Sequence, residues 1–441
     1  MLRDYQQKAV DCAVQSDNGI IVLPTGSGKS HVIAGIVERT QGRTIILQPT
    51  KEILESNIEK LRGTETPADD IGIFSASMGV KDFNKKVTYA TIGSIIKIQN
   101  QLTDCEVLII DECHLTNAKG GQYLEFINTV KPKHLIGLTA TPYRLHSNSY
   151  GSQMKMLTRT RPKIWKDIIH VTQSWDLVES GHLRNPEFKV SGDDDSLTRI
   201  LMMNTTGAEY ADYSIERYFK LTDVISRVGD AAVEAAVDMG LAHLLVFVNT
   251  IEQGKSVAAE INRRGITSDI VSSHDVKADR ENKLRRFRSG EIRAMVNVGV
   301  LLLGYDFPRL DCIICARPTM SLALDYQLIG RSVRPHPDKG NPVVFDLVNN
   351  YAKFGNPLEF RVACGRTGLY SVLSRTGRLT GRIIQDGPET EWELDFGKYL
   401  GTKLKDVPTA YMEWYLSAVA KCDIWHKFDA ELMRRSIWKH E

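Results

Sequence analysis

Cysteines are few in this sequence, and no apolar run is long enough to cross a membrane. The 441 residues include 7 cysteines, an odd number scattered along the chain, which argues for reduced thiols rather than a disulfide framework. A membrane span needs about 18 to 20 uninterrupted apolar residues, and the start of the chain, Met1 to Tyr5, also lacks an apolar signal core. We therefore expect a cytoplasmic protein that makes no contact with a membrane.

An excess of charge of either sign is missing as well. The 56 basic and 54 acidic residues leave a net charge of +2, so any contact with nucleic acid depends on local basic clusters. Hydrophobic residues make up 42% and charged residues 25%, close to globular averages, which excludes disordered and fibrous classes. A chain of this length fits two or three domains.

A metal site built on cysteine is also not expected. Cys312 and Cys315 have CxxC spacing, but the sequence offers no second pair to complete a zinc site. They lie in an apolar run in which strand alternation directs the two sulfur atoms to opposite faces. We interpret the pair as part of a buried strand.

Short runs rich in Ile and Val recur along the chain, separated by stretches of helix length. Such alternation is typical of a parallel sheet covered by helices. The runs form two series, so we predict an α/β protein with two parallel-sheet domains in tandem. They occupy 19–23, 44–47, 107–110 and 135–138 in the first series, and 244–248, 269–272, 293–298, 311–314 and 343–347 in the second.

Domain boundaries follow from where this alternation starts and stops. We predict a first domain at 1–145, a connector with a basic arm at 146–230, a second domain at 231–350 and a small accessory module at 351–441. The connector shows weak periodicity and an acidic cluster that indicates a solvated loop. The module is rich in aromatic residues that predict a core of its own, namely Trp392, Trp414, Trp425 and Trp438.

A glycine-rich segment between an apolar run and a helical stretch has the layout of a phosphate-binding loop. Residues 23–30 read Leu-Pro-Thr-Gly-Ser-Gly-Lys-Ser, with Leu23 where the common motif has glycine. The glycines allow backbone amides to close around phosphates, and the following helix adds its positive dipole end. Lys29 would bind the β and γ phosphates, and the Ser30 hydroxyl would bind Mg²⁺. The predicted nucleotide-binding residues are Thr25, Gly26, Ser27, Gly28, Lys29 and Ser30.

Two adjacent carboxylates end the apolar run at 107–110. Acidic residues at the carboxyl edge of a strand, beside a phosphate loop, are suited to hold Mg²⁺ and to activate water. Asp111 would hold Mg²⁺ through water, Glu112 would polarise the attacking water, and His114 would connect the site to the rest of the protein. Such a pair alone also caps helices. Its combination with Lys29 favours the catalytic interpretation.

These segments resemble the DExH branch of the superfamily 2 helicases, and further motifs of that family follow in order up to about residue 350. The motif sequences are similar to those of RadD-like helicases and of phage branched-DNA helicases of the UvsW kind. These families share the LRxYQ start, the IDECH box, LTATPxR and QxxGRxxRP. RadD-like proteins carry a cysteine-rich zinc segment after the motor. This sequence has no such cluster.

The resemblance implies two RecA-like motor domains with ATP and Mg²⁺ between them. In the first domain, Arg3 and Gln6 would belong to the motif that binds adenine. Thr139 and Thr141 in the TATP segment would couple the state of ATP to strand movement.

In the second domain, the resemblance implies that Gly304 and Asp306 approach the nucleotide across the cleft. Gln327, Arg331 and Arg334 stand in the QLIGRSVR segment. The two arginines are candidate arginine fingers, because a planar guanidinium binds phosphate oxygens in a fork and stabilises charge on the γ phosphoryl group.

Each motor domain needs its own contacts with a nucleic-acid strand. Hydroxyls and backbone amides suit the phosphate backbone, because they hold it without selecting a base sequence. A segment at 144–170 also carries six basic residues, Arg144 and five that follow it, together with Trp165. This could be a basic arm along a duplex or a solvated surface. The predicted strand contacts are Pro49, Thr50, Lys51, Thr91, Gly93, Ser94, Asn249 and Thr250, with Thr319 as a weaker candidate, and Arg159, Arg161 and Lys163 of the arm.

The sequence therefore predicts a monomeric, ATP-dependent and Mg²⁺-dependent DNA helicase or translocase that acts on single-stranded, forked or branched DNA. An RNA helicase is an alternative, since the motor motifs contact the nucleic-acid backbone and do little to distinguish the sugar of DNA from that of RNA. A restriction-system translocase subunit and an inactive DNA-binding scaffold are further alternatives. The presence of Lys29, Glu112 and Arg331 argues against the scaffold.

Overall fold

The computed structural model describes residues 2–64, 66–148, 151–190, 200–204, 209–301, 306–365, 368–373, 393–394, 396–419 and 423–437. Four of the residues that the sequence analysis names lie outside these ranges, namely Met1, Gly304, Trp392 and Trp438.

The first part of the chain forms an eight-stranded sheet in which neighbouring strands run parallel, except for the pair at one edge. Its strands, numbered along the chain, are β1 (Asn18–Val22), β2 (Arg43–Gln48), β3 (Ile71–Ser75), β4 (Val80–Lys81), β5 (Val87–Thr91), β6 (Cys105–Asp111), β7 (His134–Thr139) and β10 (Ile168–Val171). They lie in the order β10-β1-β7-β6-β2-β5-β3-β4. The helices are α1 (Asp4–Val14), α2 (Lys29–Arg39), α3 (Lys51–Arg62), α4 (Ile92–Ile95) and α5 (Gln122–Val130).

The second part forms a six-stranded parallel sheet in the order β11-β16-β15-β12-β14-β13. Its strands are β11 (Glu187–Val190), β12 (Leu244–Phe247), β13 (Ser268–Ser272), β14 (Ala294–Val298), β15 (Cys312–Cys315) and β16 (Val343–Asp346). The helices here are α6 (Ser174–Glu179), α7 (Asp212–Leu221), α8 (Val224–Val233), α9 (Ile251–Arg263), α10 (Lys277–Arg288), α11 (Leu322–Ile329) and α12 (Asn350–Phe354). The remaining elements are the hairpin of β8 (Tyr143–Asn148) and β9 (Gly151–Met156), the hairpin of β17 (Arg361–Cys364) and β18 (Tyr370–Leu373), and helices α13 (Thr409–Ala418) and α14 (Asp423–Ile437).

The predicted fold class is confirmed, with two parallel-sheet domains in tandem. Strand β2 shows why apolar runs give such a sheet. Ile46 packs on one face with Ile33 and Leu54 of the covering helices, while Ile45 packs on the opposite face with Phe126. Because both faces are covered, the strand is apolar at successive positions instead of alternating. Cys312 and Cys315 are both buried in β15, as the strand interpretation predicts.

The predicted connector at 146–230 differs from the structure. Ile168 in β10 pairs with Ile20, which adds an edge strand to the first sheet. Glu187 in β11 pairs with Val343, which adds an edge strand to the second sheet, and α7 and α8 contribute to the second hydrophobic core. The two edge strands have four residues each, too few for the alternation of residue types to reveal them. Only the segment around α6 separates the two sheets.

The predicted accessory module at 351–441 also begins later than expected. Phe354 and Val372 belong to the core of the first domain, so the hairpin of β17 and β18 returns to that domain. A separate core forms further on, from Leu394 to Leu432. Trp425 is buried in it, whereas Trp414 is 56% exposed. No helix in the described part of the chain combines the length and apolar character that a bilayer crossing requires.

A substitution at Trp165 tests how the core of the first domain is packed. It is 1% exposed and donates a hydrogen bond from its indole to Thr116 Oγ1 at 3.1 Å. Trp165→Ala should lower the free energy of unfolding by about 3 to 5 kcal/mol, because it leaves a large cavity. Trp414→Ala is the control and should stay within about 0.5 kcal/mol. Equal effects in chemical denaturation would show that this core is assigned wrongly.

Candidate active site

The phosphate loop joins β1 to α2 through backbone that only glycine adopts easily. Gly26 and Gly28 have φ of 85° and 84°, in the left-handed region. A Cβ on Gly28 would lie 2.6 Å from Gln6 Nε2, so a side chain there would displace the Gln6 amide. Lys29 is the first residue of α2. The backbone amides at this helix start are placed to bind an anion.

The first turn of α1 is bonded to the same loop. The Arg3 amide donates to Gln6 Oε1 at 3.0 Å, and Gln6 Nε2 donates to the Ser27 carbonyl at 2.9 Å. The Tyr5 hydroxyl donates to that same carbonyl at 2.7 Å. Gln6 thus lies against the phosphate loop and supports its conformation.

The two carboxylates lie where β6 ends, opposite the loop. Lys29 Nζ is 3.1 Å from Glu112 Oε1, and His114 Nδ1 is 3.3 Å from Glu112 Oε2. Asp111 Oδ1 accepts the Glu112 backbone N–H at 2.9 Å. Glu112 has φ of 49°, a left-handed conformation that is costly for a residue with a side chain. This turn places the two adjacent carboxylates in different surroundings.

Those surroundings move the two pKa values apart. Burial, together with the Glu112 charge, raises the pKa of Asp111 to about 6, although Lys29 opposes the shift. Burial acts on Glu112 in the same direction, but the charges of Lys29 and His114 outweigh it and hold the pKa of Glu112 below its usual value. Glu112 is therefore ionised and paired, while Asp111 is a buried carboxylate that a cation would stabilise.

This donor set fits Mg²⁺ bound together with phosphates. In the residues that the structure describes, no three His, Cys, Asp or Glu side chains are grouped as a metal site. Mg²⁺ usually keeps several waters and binds one or two protein oxygens plus substrate phosphates. Ser30 and Asp111 both line the cleft and supply such oxygens. A closed metal cage formed by protein alone is not needed here.

A path of polar contacts leads from Glu112 to the second domain. His114 Nδ1 lies 2.9 Å from Thr139 Oγ1, and the Thr141 N–H donates to the same oxygen at 3.0 Å. His114 Nε2 lies 3.3 Å from Gln327 Nε2, which projects from α11. His114 thus contacts the carboxylate, the TATP segment and the second domain at once.

The second domain supplies the opposite wall of the cleft. Arg331 and Arg334 both line it, and Arg334 is ion-paired with Asp306. Arg331 is 6% exposed, and burial, with a smaller effect of Arg334, lowers the pKa of its guanidinium to about 10. A Cβ on Gly330 would lie 2.7 Å from Thr25 Cβ. The absence of a side chain there lets the two walls touch.

The cleft between the walls has a volume of about 470 Å³, which is within the range of nucleotide-sized ligand pockets. It brings together most of the predicted nucleotide-site residues of both domains, although His114 and Gln327 do not line it. It also includes one face of α3 that the sequence pattern does not reveal. The spacing of that face is typical of a helix, with neighbours three and four residues apart. Its residues are Ile53, Ser56, Asn57 and Lys60. The predicted residues that line the cleft are Arg3, Gln6, Thr25, Gly26, Ser27, Gly28, Lys29, Ser30, Asp111, Glu112, Asp306, Arg331 and Arg334.

The predicted strand contacts lie outside this cleft. Thr50 caps α3 and Thr250 caps α9, each with its hydroxyl accepting a backbone N–H of its own helix. Thr91 Oγ1 is 3.0 Å from Ser94 Oγ. Thr319 donates to Glu209 Oε2 at 2.5 Å. The hydroxyls of Thr50 and Thr250 therefore fix helix starts, where backbone N–H groups are available to phosphates.

Part of the predicted basic arm has a different role. Arg159 Nη2 donates to the Tyr370 carbonyl at 2.7 Å, which fastens the β17–β18 hairpin to the first domain. Burial lowers the pKa of the Arg159 guanidinium. This arginine is therefore a structural contact. Arg161 and Lys163 are exposed.

Comparison with known proteins gives two family matches and several relatives. Residues 1–144 match "Type III restriction enzyme, res subunit", and residues 239–336 match "Helicase conserved C-terminal domain". The chain is 27% identical over 349 residues to a "Putative DNA 3'-5' helicase Rad25" of Haloarcula marismortui, covering 76% of this chain and 51% of the relative. It is 22% identical over 374 residues to the "Putative ATP-dependent helicase IRC3" of Saccharomyces cerevisiae, covering 79% and 51%.

Among solved structures, the fold is similar to an "ATP-dependent Type ISP restriction-modification enzyme LlaBIII bound to DNA". The TM-score is 0.57 at 15% identity, covering 78% of this chain and 27% of that chain. The chain spans about half the length of the two curated relatives described above.

A substitution at Gly330 tests whether the two walls of the cleft must be in contact. Gly330→Val would push a side chain into Thr25 and move Arg331 away from the cleft. Turnover of ATP should fall about 100-fold, the effect expected of a misplacement of about 1 Å. Gly340→Val is the matched control, since a Cβ there meets nothing within 4 Å. Unchanged turnover in the Gly330 variant would contradict the closed arrangement of the two walls.

Proposed function

We propose that the chain is an ATP-dependent DNA helicase or translocase that acts on forked or branched DNA during recombination, repair or replication. The two family matches, one on each sheet domain, support this proposal. The observation that carries the proposal is the continuous path of contacts from Lys29 through Glu112 and His114 to Gln327. This path begins at the phosphate loop and ends in the other domain. Such a link is what an enzyme needs to turn hydrolysis into domain movement.

ATP binds in the cleft, with its phosphates on the glycine-rich loop and on Lys29. The adenine lies toward Arg3 and Gln6 at the start of α1. Mg²⁺, held by Ser30 and Asp111 when bound, neutralises charge on the phosphates. Glu112 is ionised while it is paired with Lys29. Bound phosphates would compete for Lys29, and the freed carboxylate would orient the attacking water and accept its proton.

Arg331 and Arg334 stabilise the charge that develops on the γ phosphoryl group. They come from the second domain, so hydrolysis requires a closed cleft. Release of phosphate removes the charge that holds the arginines in place, and the cleft opens. His114 and Gln327 carry this change across the cleft, and Thr139 and Thr141 carry it within the first domain.

Each domain holds the strand at its own sites. In the first domain these are Pro49, Thr50 and Lys51 together with Thr91, Gly93 and Ser94, and in the second they are Asn249 and Thr250. Alternate opening and closing of the cleft then moves one set past the other. Arg161 and Lys163 add charge contacts with the DNA backbone.

DNA is favoured over RNA by the relatives, whose names include a putative DNA helicase. The branched substrate rests on the similarity of motifs to RadD-like and UvsW-like helicases. A restriction-system translocase is the second candidate, because the first domain matches a restriction-enzyme family and the fold is similar to a DNA-bound restriction-modification enzyme. We also propose that the chain acts as a monomer in the cytoplasm.

ATP hydrolysis measured with single-stranded DNA, forked DNA and RNA tests this function. We expect stimulation by DNA, with forked DNA the most effective. Lys29→Ala should abolish hydrolysis and leave DNA affinity nearly unchanged, because Lys29 serves the phosphates and not the strand. Stimulation by RNA alone would replace DNA with RNA as the substrate. Normal turnover in Lys29→Ala would overturn the active-site assignment.

A further inference from the structure

Asn57 lies in the nucleotide cleft, and none of the functions described so far uses it. It is 1% exposed, and its Nδ2 donates to Asp111 Oδ2 at 3.4 Å. The other oxygen of that carboxylate accepts the Glu112 backbone N–H. Asn57 therefore holds the free side of Asp111, and its amide fixes the direction in which the carboxylate points.

Helix α3 connects Asn57 to the predicted strand site. The helix begins after Thr50, whose hydroxyl caps it. Seven residues separate Thr50 from Asn57, which is about 10 Å along the axis at about 1.5 Å per residue. Leu54, Ile58 and Leu61 are 0%, 3% and 0% exposed, so one face of the helix is packed on the first sheet. A displacement at its start reaches Asn57 because the helix moves as one body.

The layer beneath α3 contains buried polar residues close to Asp111. Gln48 and Tyr89 are both fully buried. Within the described part of the chain, neither end of the Gln48 amide nor the Tyr89 hydroxyl has a hydrogen-bond partner. Burial raises the pKa of Tyr89, and the nearby Asp111 charge adds to the shift. The layer between α3 and the sheet therefore contains these polar groups beside the apolar side chains of Leu54 and Ile58.

We propose that Asn57 is a positioning residue that couples strand binding at the start of α3 to the Asp111 carboxylate in the ATP site. This inference rests on the function proposed above. A phosphate of the strand, bound at the first turn of α3, shifts the helix along the sheet. Asn57 moves with it and turns Asp111 toward the position where it holds Mg²⁺. Strand binding and Mg²⁺-nucleotide binding then favour the same position of α3.

The test measures this coupling as a ratio of affinities. The affinity of the full chain for a fluorescent single-stranded oligonucleotide is determined with and without a non-hydrolysable ATP analogue and Mg²⁺. In the natural chain the analogue and Mg²⁺ should raise the affinity for the oligonucleotide, so that the ratio exceeds one, and the oligonucleotide should raise the affinity for the analogue by the same factor. In Asn57→Ala the ratio should fall to about one, with oligonucleotide affinity in the absence of nucleotide unchanged.

A second readout separates positioning from a loss of stability. The Mg²⁺ concentration that gives half-maximal binding of the analogue should rise about 10-fold in Asn57→Ala, because Asp111 loses the amide that fixes its direction. Asn57→Gln keeps an amide donor and should restore part of the coupling. Asn57→Ser is polar but too short to reach Asp111, so it should behave like the alanine variant even if Asn57→Ala does not fold.

Asn262→Ala is the matched control, because Asn262 lies on α9, the capped helix of the second domain. It makes two hydrogen bonds with Ser268, at 3.1 and 2.9 Å, and has no contact with the cleft. Its coupling ratio should equal that of the natural chain. Natural coupling and Mg²⁺ dependence in the Asn57 variants would overturn the inference. A natural chain that binds no strand at all would overturn the proposed function instead.

Discussion

The buried ion pair between Lys29 and Glu112 is the interaction on which the rest of the site depends. Its two side chains are 13% and 11% exposed, and Nζ lies 3.1 Å from Oε1. Removal of Lys29 would leave His114 as the remaining ion-pair contact of the Glu112 carboxylate. The pair keeps Glu112 ionised, and His114 contacts the other oxygen of the same carboxylate. Bound phosphates would compete with Glu112 for Lys29 and release the carboxylate to act on water.

This arrangement follows from the topology of the first sheet. Strands β1, β7 and β6 are neighbours, and parallel strands all end at the same edge. Lys29 comes after β1, Glu112 after β6 and Thr139 at the end of β7, so the topology alone brings the three close together. The second domain then completes the cleft with two short segments, one that contains Asp306 and Pro308 and one that contains Arg331 and Arg334. Gly330 and Thr25 show how closely the two domains approach.

Much of this site could be predicted from the sequence, because its chemistry is concentrated in short segments at strand ends. The glycine-rich loop, the paired carboxylates and the two arginines each lie in such a segment, and all line one cleft. Asn57 could not be found in this way. It lies in the middle of a helix, among residues whose pattern is typical of ordinary helix packing, and only the position of α3 against β6 brings it to Asp111.

The fold likewise has parts that short sequence segments predict and parts that depend on tertiary contacts. Strands with continuous apolar runs, such as β6 and β12, were predicted at nearly their observed positions. Strand β5 was missed because Thr88 and Tyr89 interrupt its apolar run, although both are buried. The edge strands and the hairpin fastened by Arg159 depend on contacts between residues distant in sequence. Local patterns do not contain such contacts.

The most direct test of the account is a double-mutant cycle across the cleft, with His114→Ala and Gln327→Ala assayed singly and together for DNA-stimulated ATP turnover. Residues that act through one contact have effects that do not add. If His114 and Gln327 transmit hydrolysis between the domains, each single variant lowers stimulated turnover and the double variant lowers it little further. Independent effects that multiply in the double variant would contradict the proposed path from Lys29 to the second domain.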